Sequence, residues 1–257
     1  MSYYPDRHHP VFFLVDALNA LGAKAEFARD ERTEGAWGMI VNGRTVVWFI
    51  DNRWPHERAK EDPAAERLLA KGALVCCAQK RDAERIGGKW LPLAATPGYE
   101  PLQSEKTSDV AFVGYVRDAA RSTILIDVAA HHTLALGQNV FGKQAVELYA
   151  SARIGLNVPT NYYDPNAYDI NMRVFEIPAT GTPLLTNALP ELEALGFIDG
   201  KTCLTYESPD DLLSKLDFAL SDPFDILKLV GERGFALVRA RHTYRHRARQ
   251  VLQWLQP

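Results

Sequence analysis

Apolar residues recur along this chain with two spacings, about 3.6 in some stretches and 2 in others, and the two spacings mark helices and strands. Residues 10–21 place Phe13, Ala17, Ala20 and Leu21 on one helical face, with Pro10 suited to the first turn and Gly22 to the stop. Two apolar, β-branched runs then flank Asn42-Gly43, a dipeptide that tolerates positive φ at both turn positions and so predicts a hairpin over 37–52. The charged stretch 55–72 reads as a surface helix and 73–79 as a short buried strand. Gly- and Pro-punctuated extended chain follows over 87–101, and Pro97 to Ser108 reads as a linker. Beyond it the alternation is regular. Strands are expected at 108–116, 132–137, 153–158, 182–187 and 202–208, with helices at 118–130, 143–152 and 209–220. Ser208 and Asp211 form a capping-box pair ahead of Pro209 at the first helical position. Strand and helix in alternation predict a parallel sheet with helices on both faces, an α/β fold.

Composition narrows the class. With 257 residues, 47% hydrophobic and 24% charged, the chain can bury a sizeable core as one large or two small domains. A net charge of -3 gives no overall basic footprint of the kind a dedicated nucleic-acid binder carries. Positive charge gathers only near the C-terminus, where Arg239, Arg241, Arg245, Arg247 and Arg249 lie beside an apolar side of Val251, Leu252 and Leu255. That tail is a solvated helix face or a phosphate-binding one. Cys76, Cys77 and Cys203 show neither disulfide-ladder nor metal-ligand spacing, which fits a reducing, cytoplasmic setting. No stretch reaches the ~18 apolar residues of a membrane span. His8, His9, His131 and His132 come as adjacent pairs that point different ways in regular structure, which argues against a metal site.

The segment Asn171 to Asn187 carries the most chemistry. In doubly wound sheets ligands sit beyond the C-terminal ends of the strands, where helix N-termini offer free amides to phosphates. A short helix from Asn171 that ends at Gly181 projects Arg173 and Glu176 to the same side. Arg173 can then neutralise a diphosphate, and the Glu176 carboxylate can accept hydrogen bonds from vicinal ribose hydroxyls. The plainer alternative is a surface Arg–Glu pair worth under about 1 kcal/mol. In the first half, Asp51 follows an apolar strand, where it is either a general base or a turn and capping residue, and His56 stands nearby.

The ordered motifs resemble the C-terminal, donor-binding domain of GT-B glycosyltransferases, in particular the family-4-like, CgeB-type group. The matching residues are Phe112 and Gly114 followed by Arg117, then Tyr149 to Asn157, Asn171 to Gly181, and His242 to Tyr244. The resemblance covers roughly Lys89 to the C-terminus. It implies a GT-B-like architecture of two Rossmann-like domains, here a reduced N-terminal, acceptor-side domain over 1–103 containing the hairpin and a donor-binding domain over 104–257, whose last helix can pack back on the first. It further implies that Glu176 holds the donor ribose, that Asn171 and Arg173 lie beside the diphosphate or sugar, that Gly114 lets the backbone approach the phosphates, and that Arg117 counters the leaving diphosphate. Tyr115, Asn157 and Gly181 complete the donor-binding set, with Asp51, Arg117 and Arg173 as the catalytic candidates. The family-4 pattern has a second Glu eight residues before the first, and here that position is Tyr168.

The expectation is therefore a metal-independent, retaining transfer of a sugar from a nucleotide-diphosphate donor, with no cofactor and with no paired-carboxylate cation motif in the sequence. The acceptor is open, a DNA base included, because the basic tail offers a positive surface. An inert sugar-nucleotide-binding protein and a nucleic-acid-binding module are the alternatives.

Overall fold

The computed structural model describes residues 9–28, 36–50, 55–159, 170–221 and 225–256. The chain forms two compact units, Met1–Pro97 with His242–Pro257, and Gly98–Arg241.

The first unit holds α1 (Pro10–Ala20), β1 (Ala25–Ala28), β2 (Ala36–Val41), β3 (Arg44–Phe49), α2 (Pro55–Ala70), β4 (Leu74–Cys77), α3 (Lys80–Ile86) and β5 (Lys89–Trp90). Its sheet runs in the order β1-β2-β3-β4-β5. The first two pairings are antiparallel and the last two parallel. Asn42 and Gly43 take φ of 51° and 79°, the left-handed pair that a tight hairpin turn needs. Trp48 is fully buried, and its indole N–H donates to the Leu91 carbonyl at 2.9 Å. His9 caps α1, accepting from the Val11 N–H at 3.3 Å, and stacks on Trp37 with ring centroids 3.9 Å apart. Burial lowers its pKa to about 4, which keeps the ring neutral and able to accept.

The second unit contains β6 (Ser108–Val113), α4 (Ala119–His131), β7 (Leu134–Gly137), α5 (Lys143–Ser151), β8 (Ala152–Asn157), α6 (Arg173–Ala179), β9 (Leu184–Asn187), α7 (Pro190–Leu195), β10 (Leu204–Tyr206), α8 (Pro209–Ser221) and α9 (Ile226–Arg241). All four strand pairings are parallel, in the order β10-β9-β8-β6-β7. The direction of winding reverses between β6 and β8, which makes the C-terminal ends of those two strands the place for a ligand. One side of the sheet buries Val110, Phe112, Ile154, Leu156 and Leu185 against Ile124, Leu125 and Val128 of α4 and Leu212 and Leu216 of α8. Each such aliphatic side chain contributes roughly 1.5–3 kcal/mol on burial. On the other side α6 lies close to β8, because at Gly155 a Cβ would come 2.3 Å from Ile177 Cγ2.

The final helix, α10 (Tyr244–Trp254), belongs to the first unit, where it packs on α1. The basic tail read as one helix is two. α9 ends at Arg241, and Thr243 starts α10 with a capping box whose partner is His246.

Candidate donor site

The site is built at the ends of β6 and β8. β8 finishes in Asn157, fully buried, whose Oδ1 accepts from Arg173 Nε at 2.8 Å and from Asn171 Nδ2 at 3.0 Å. Its own amide donates to Thr186 Oγ1 at 3.0 Å, and its carbonyl accepts from the Tyr206 hydroxyl at 2.8 Å. Asn171 caps the following turn, taking the Arg173 N–H on Oδ1 at 3.0 Å. One asparagine thus fixes the backbone entry of α6 and the other fixes its first side chain.

Arg173 lies with its guanidinium carbon 5.3 Å from the centre of the Phe112 ring, and its Nη2 donates to the Val158 carbonyl at 3.4 Å. Its Nη1 approaches Gly114 so closely that a Cβ there would stand 2.8 Å away. A residue with a side chain at 114 would push the guanidinium aside. Among the described residues Arg173 has no carboxylate partner: the Arg173–Glu176 ion pair that the sequence allowed is not formed, although both side chains are half-buried on α6. An arginine held by neutral acceptors at a strand end keeps its full charge for a ligand anion.

Arg121, which sequence reasoning missed, is buried under the same strand ends. It donates from Nε to the Val158 carbonyl at 3.0 Å and from Nη1 to the Tyr115 carbonyl at 2.8 Å, tying the turn after β6 to the turn after β8. It also faces Phe112, at 5.6 Å. Its only sequence signal was an Arg inside the amphipathic helix 118–130. Arg117 and Tyr115 lie further out, both exposed, with the guanidinium 4.6 Å from the phenol ring.

Two tyrosines flank Glu176. Burial first and the Glu176 carboxylate second hold the hydroxyl pKa values of Tyr99 and Tyr149 above the ordinary tyrosine range. Tyr149 is 1% exposed, and its hydroxyl has no hydrogen-bond partner among the described residues. Tyr99 sits in the extended segment before β6, where no pattern marked it as a site residue.

Of the residues expected in the site, Gly114, Tyr115, Arg117, Asn157, Asn171, Arg173 and Glu176 gather at this end of the sheet. Gly181 does not. It follows α6 and precedes β9, hence lies at the N-terminal end of the strands, where its φ of 78° turns the chain and Pro101 packs on it. Its role is to reverse the chain, and α9 approaches it through Gly231, where a Cβ would meet the Gly181 carbonyl at 2.6 Å. Asp51 and Tyr168 lie outside the described residues, as does the side chain of His56. Among the described residues, no cluster of three or more His, Cys, Asp or Glu is placed to hold a metal ion, and no helix is long and apolar enough to cross a membrane.

Comparison with known proteins shows the family and the fold. The family model described as glycosyl transferase-like matches residues 100–253, and the chain belongs to that family. Sucrose-phosphate synthase from Thermosynechococcus elongatus is similar in fold, at 16% identity and TM-score 0.53 over 80% of this chain and 66% of that one. So is TarM, at 8% identity and TM-score 0.59 over 82% of this chain and 50% of that one. The pneumococcal O-GlcNAc transferase GtfA, solved with UDP and GlcNAc, aligns at 9% identity and TM-score 0.51 over 79% of this chain and 48% of that one. The fold is GT-B, and the chain spans 66% of the first of these structures and about half of the other two. No curated protein sequence matches the chain.

Proposed function

We propose that the second unit binds a nucleotide-diphosphate sugar and that the protein transfers the sugar to an acceptor with retention, without a bound metal. The observation that carries this reading is Arg173, locked by Asn157 and Asn171 against Gly114 at the sheet's switch point, with no carboxylate partner among the described residues. Cleavage of a sugar–diphosphate bond develops negative charge on the β-phosphate, and fixed cations aimed at that charge stabilise the transition state. Arg173 supplies the inner cation and Arg117 an outer one, while Gly114 leaves room for the phosphates. Glu176, three residues along α6, takes the ribose hydroxyls. Asn157, Asn171 and Arg121 hold these groups in place. The UDP bound in the structure of pneumococcal GtfA, a protein similar in fold, is consistent with a nucleotide diphosphate as ligand.

The test is a thermal-shift screen against UDP, GDP, dTDP, ADP, CMP and their sugar conjugates, followed by transfer or donor-hydrolysis assays with the nucleotide that stabilises. The expected result is stabilisation by one nucleoside diphosphate, lost in Arg173→Ala and Glu176→Ala with the fold intact, and turnover of its sugar conjugate. Binding without turnover on any donor would make this an inert sugar-nucleotide-binding protein. Silence across the panel from a folded protein would sink the donor reading.

A further inference from the structure

The second unit carries a second concave site, at the opposite end of its sheet. A cavity of about 500 Å³ is lined by Pro101, Lys106, Arg153, Pro183, Lys228 and Phe235, among others. Lys106 precedes β6, Arg153 is near the start of β8 and Pro183 precedes β9, so the cavity opens where the strands begin. The donor site lies where they end. Strands of six residues separate the two by on the order of 20 Å. The volume falls in the range of pockets that hold small organic molecules.

The wall is apolar and the polar groups are mostly cations. Lys106 Nζ donates to the Ala150 and Ala152 carbonyls at 2.8 Å each, leaving one of its three N–H donors without an acceptor among the described residues. Among the described residues no carboxylate pairs with it, and desolvation of the amine lowers its pKa. Lys106 is exposed, so its remaining N–H donor is within reach of a ligand anion. Arg153 donates to the Leu220 carbonyl at 2.9 Å and has its one carboxylate, Asp109, at 3.8 Å. Lys228 has no side-chain partner among the described residues. Two carboxylates also line the cavity. Asp225 is occupied in accepting the Lys228 backbone N–H at 3.2 Å at the start of α9, and Glu232 is exposed. The lining holds three cations against two carboxylates; with Asp109 pairing Arg153 from outside it, Lys106 and Lys228 are the cations that have no carboxylate partner among the described residues. Pro101, Pro183, Leu227 and Phe235 supply the surface that an apolar body would cover.

We infer that this cavity binds a small organic anion, a carboxylate or phosphate ester on an aromatic or branched apolar body, held by Lys106, Lys228 and Arg153 and packed on Phe235 and Pro183. The site is separate from the donor site and does not depend on the reading of the latter.

Ligand-observed NMR on the full chain with phenyl phosphate and phenylacetate tests it, with inorganic phosphate and benzyl alcohol as controls and UDP titrated into the same samples. Binding of the two aromatic anions is expected, weakened at least about tenfold in both Lys106→Met and Lys228→Glu. The UDP response should be unchanged in both. Lys228 is exposed and its side chain is unpartnered, so its reversal spares folding even where Lys106→Met does not. The inference is overturned if the aromatic anions do not bind, if Lys228→Glu binds them as well as the parent, or if benzyl alcohol or inorganic phosphate binds equally. Aromatic-anion binding together with silence across the whole nucleotide panel would uphold this site and overturn the donor reading alone.

Discussion

Asn157 has three polar partners on its side-chain amide and a fourth on its main-chain carbonyl, and this chemistry makes the candidate donor site testable one atom at a time. Its Oδ1 accepts from two donors, so both the amide orientation and the Arg173 position depend on that oxygen. Asn157→Leu keeps the size and removes the acceptor. Leaving buried donors unsatisfied costs about 1–3 kcal/mol, and freeing the guanidinium should weaken nucleoside diphosphate binding about tenfold. Asn157→Asp separates the two effects, because it retains the acceptor and adds a negative charge beside Arg173. Urea denaturation should find Asn157→Asp closer to the parent in stability than Asn157→Leu, while titration calorimetry should find its UDP binding also weakened. Parent-like UDP affinity in Asn157→Asp would mean that Arg173 does not face the phosphates. The types of these residues were legible in the sequence, since an Asn closing a strand and an Asn opening a helix are local signals. Arg121 was not, because its burial depends on two turns about forty residues apart meeting over Phe112. Gly181 was misread for the converse reason. A glycine ending a helix says that the chain turns there, and which end of the sheet it turns at follows only from the crossover.

Most elements of the second unit were legible because they carry their own period and punctuation, and all the strands expected there are present. Of the elements that escaped, β1, α3 and α7, of four, seven and six residues, fall below the length at which a period can be told from chance, while the sixteen-residue α9 was read only at its C-terminal end, as part of the basic tail. How closely two elements approach was not legible either, and here a glycine decides it. Gly155 lets α6 descend on β8, and one residue along the same helix Gly234 of α9 would bring a Cβ to 3.2 Å from Pro178. Gly155→Ala should destabilise by about 1–3 kcal/mol, the range for overpacking, and should weaken UDP binding because Arg173 rides on the displaced helix. Ile177→Ala removes the Cγ2 that clashes. The double variant should therefore be more stable than the sum of the two single losses predicts, with a coupling of about 0.5–3 kcal/mol in a double-mutant cycle. Additive losses would show that α6 is not seated through this contact.

Across the whole molecule the chain visits its first unit twice, and the His242 to Tyr244 motif marks the return. The Ala95 N–H donates to the His242 carbonyl at 3.0 Å and Ala95 bridges Thr243, so the motif is architectural. Arg247 fastens it. At 3% exposure it donates to the Pro92 carbonyl at 2.8 Å, to the Leu93 carbonyl at 2.9 Å and to His242 Nδ1 at 2.9 Å. In the sequence it was one of five tail arginines on a supposed basic face, and nothing local distinguishes a buried member of such a set. Arg247→Lys keeps the charge but cannot reproduce a planar fork that reaches two carbonyls and a ring nitrogen. Losing hydrogen bonds to a buried charged group should cost about 1.5–3 kcal/mol. All five tryptophans fall in the first unit, so indole fluorescence reports its unfolding, while stabilisation by the nucleoside diphosphate that the screen selects would report the second. In Arg247→Lys the fluorescence midpoint in urea should fall and the UDP affinity at low urea should stay at the parent value. Equal losses in both would mean that the two units fold as one cooperative body, and the donor site would then owe its stability to the first unit as well as to its own sheet.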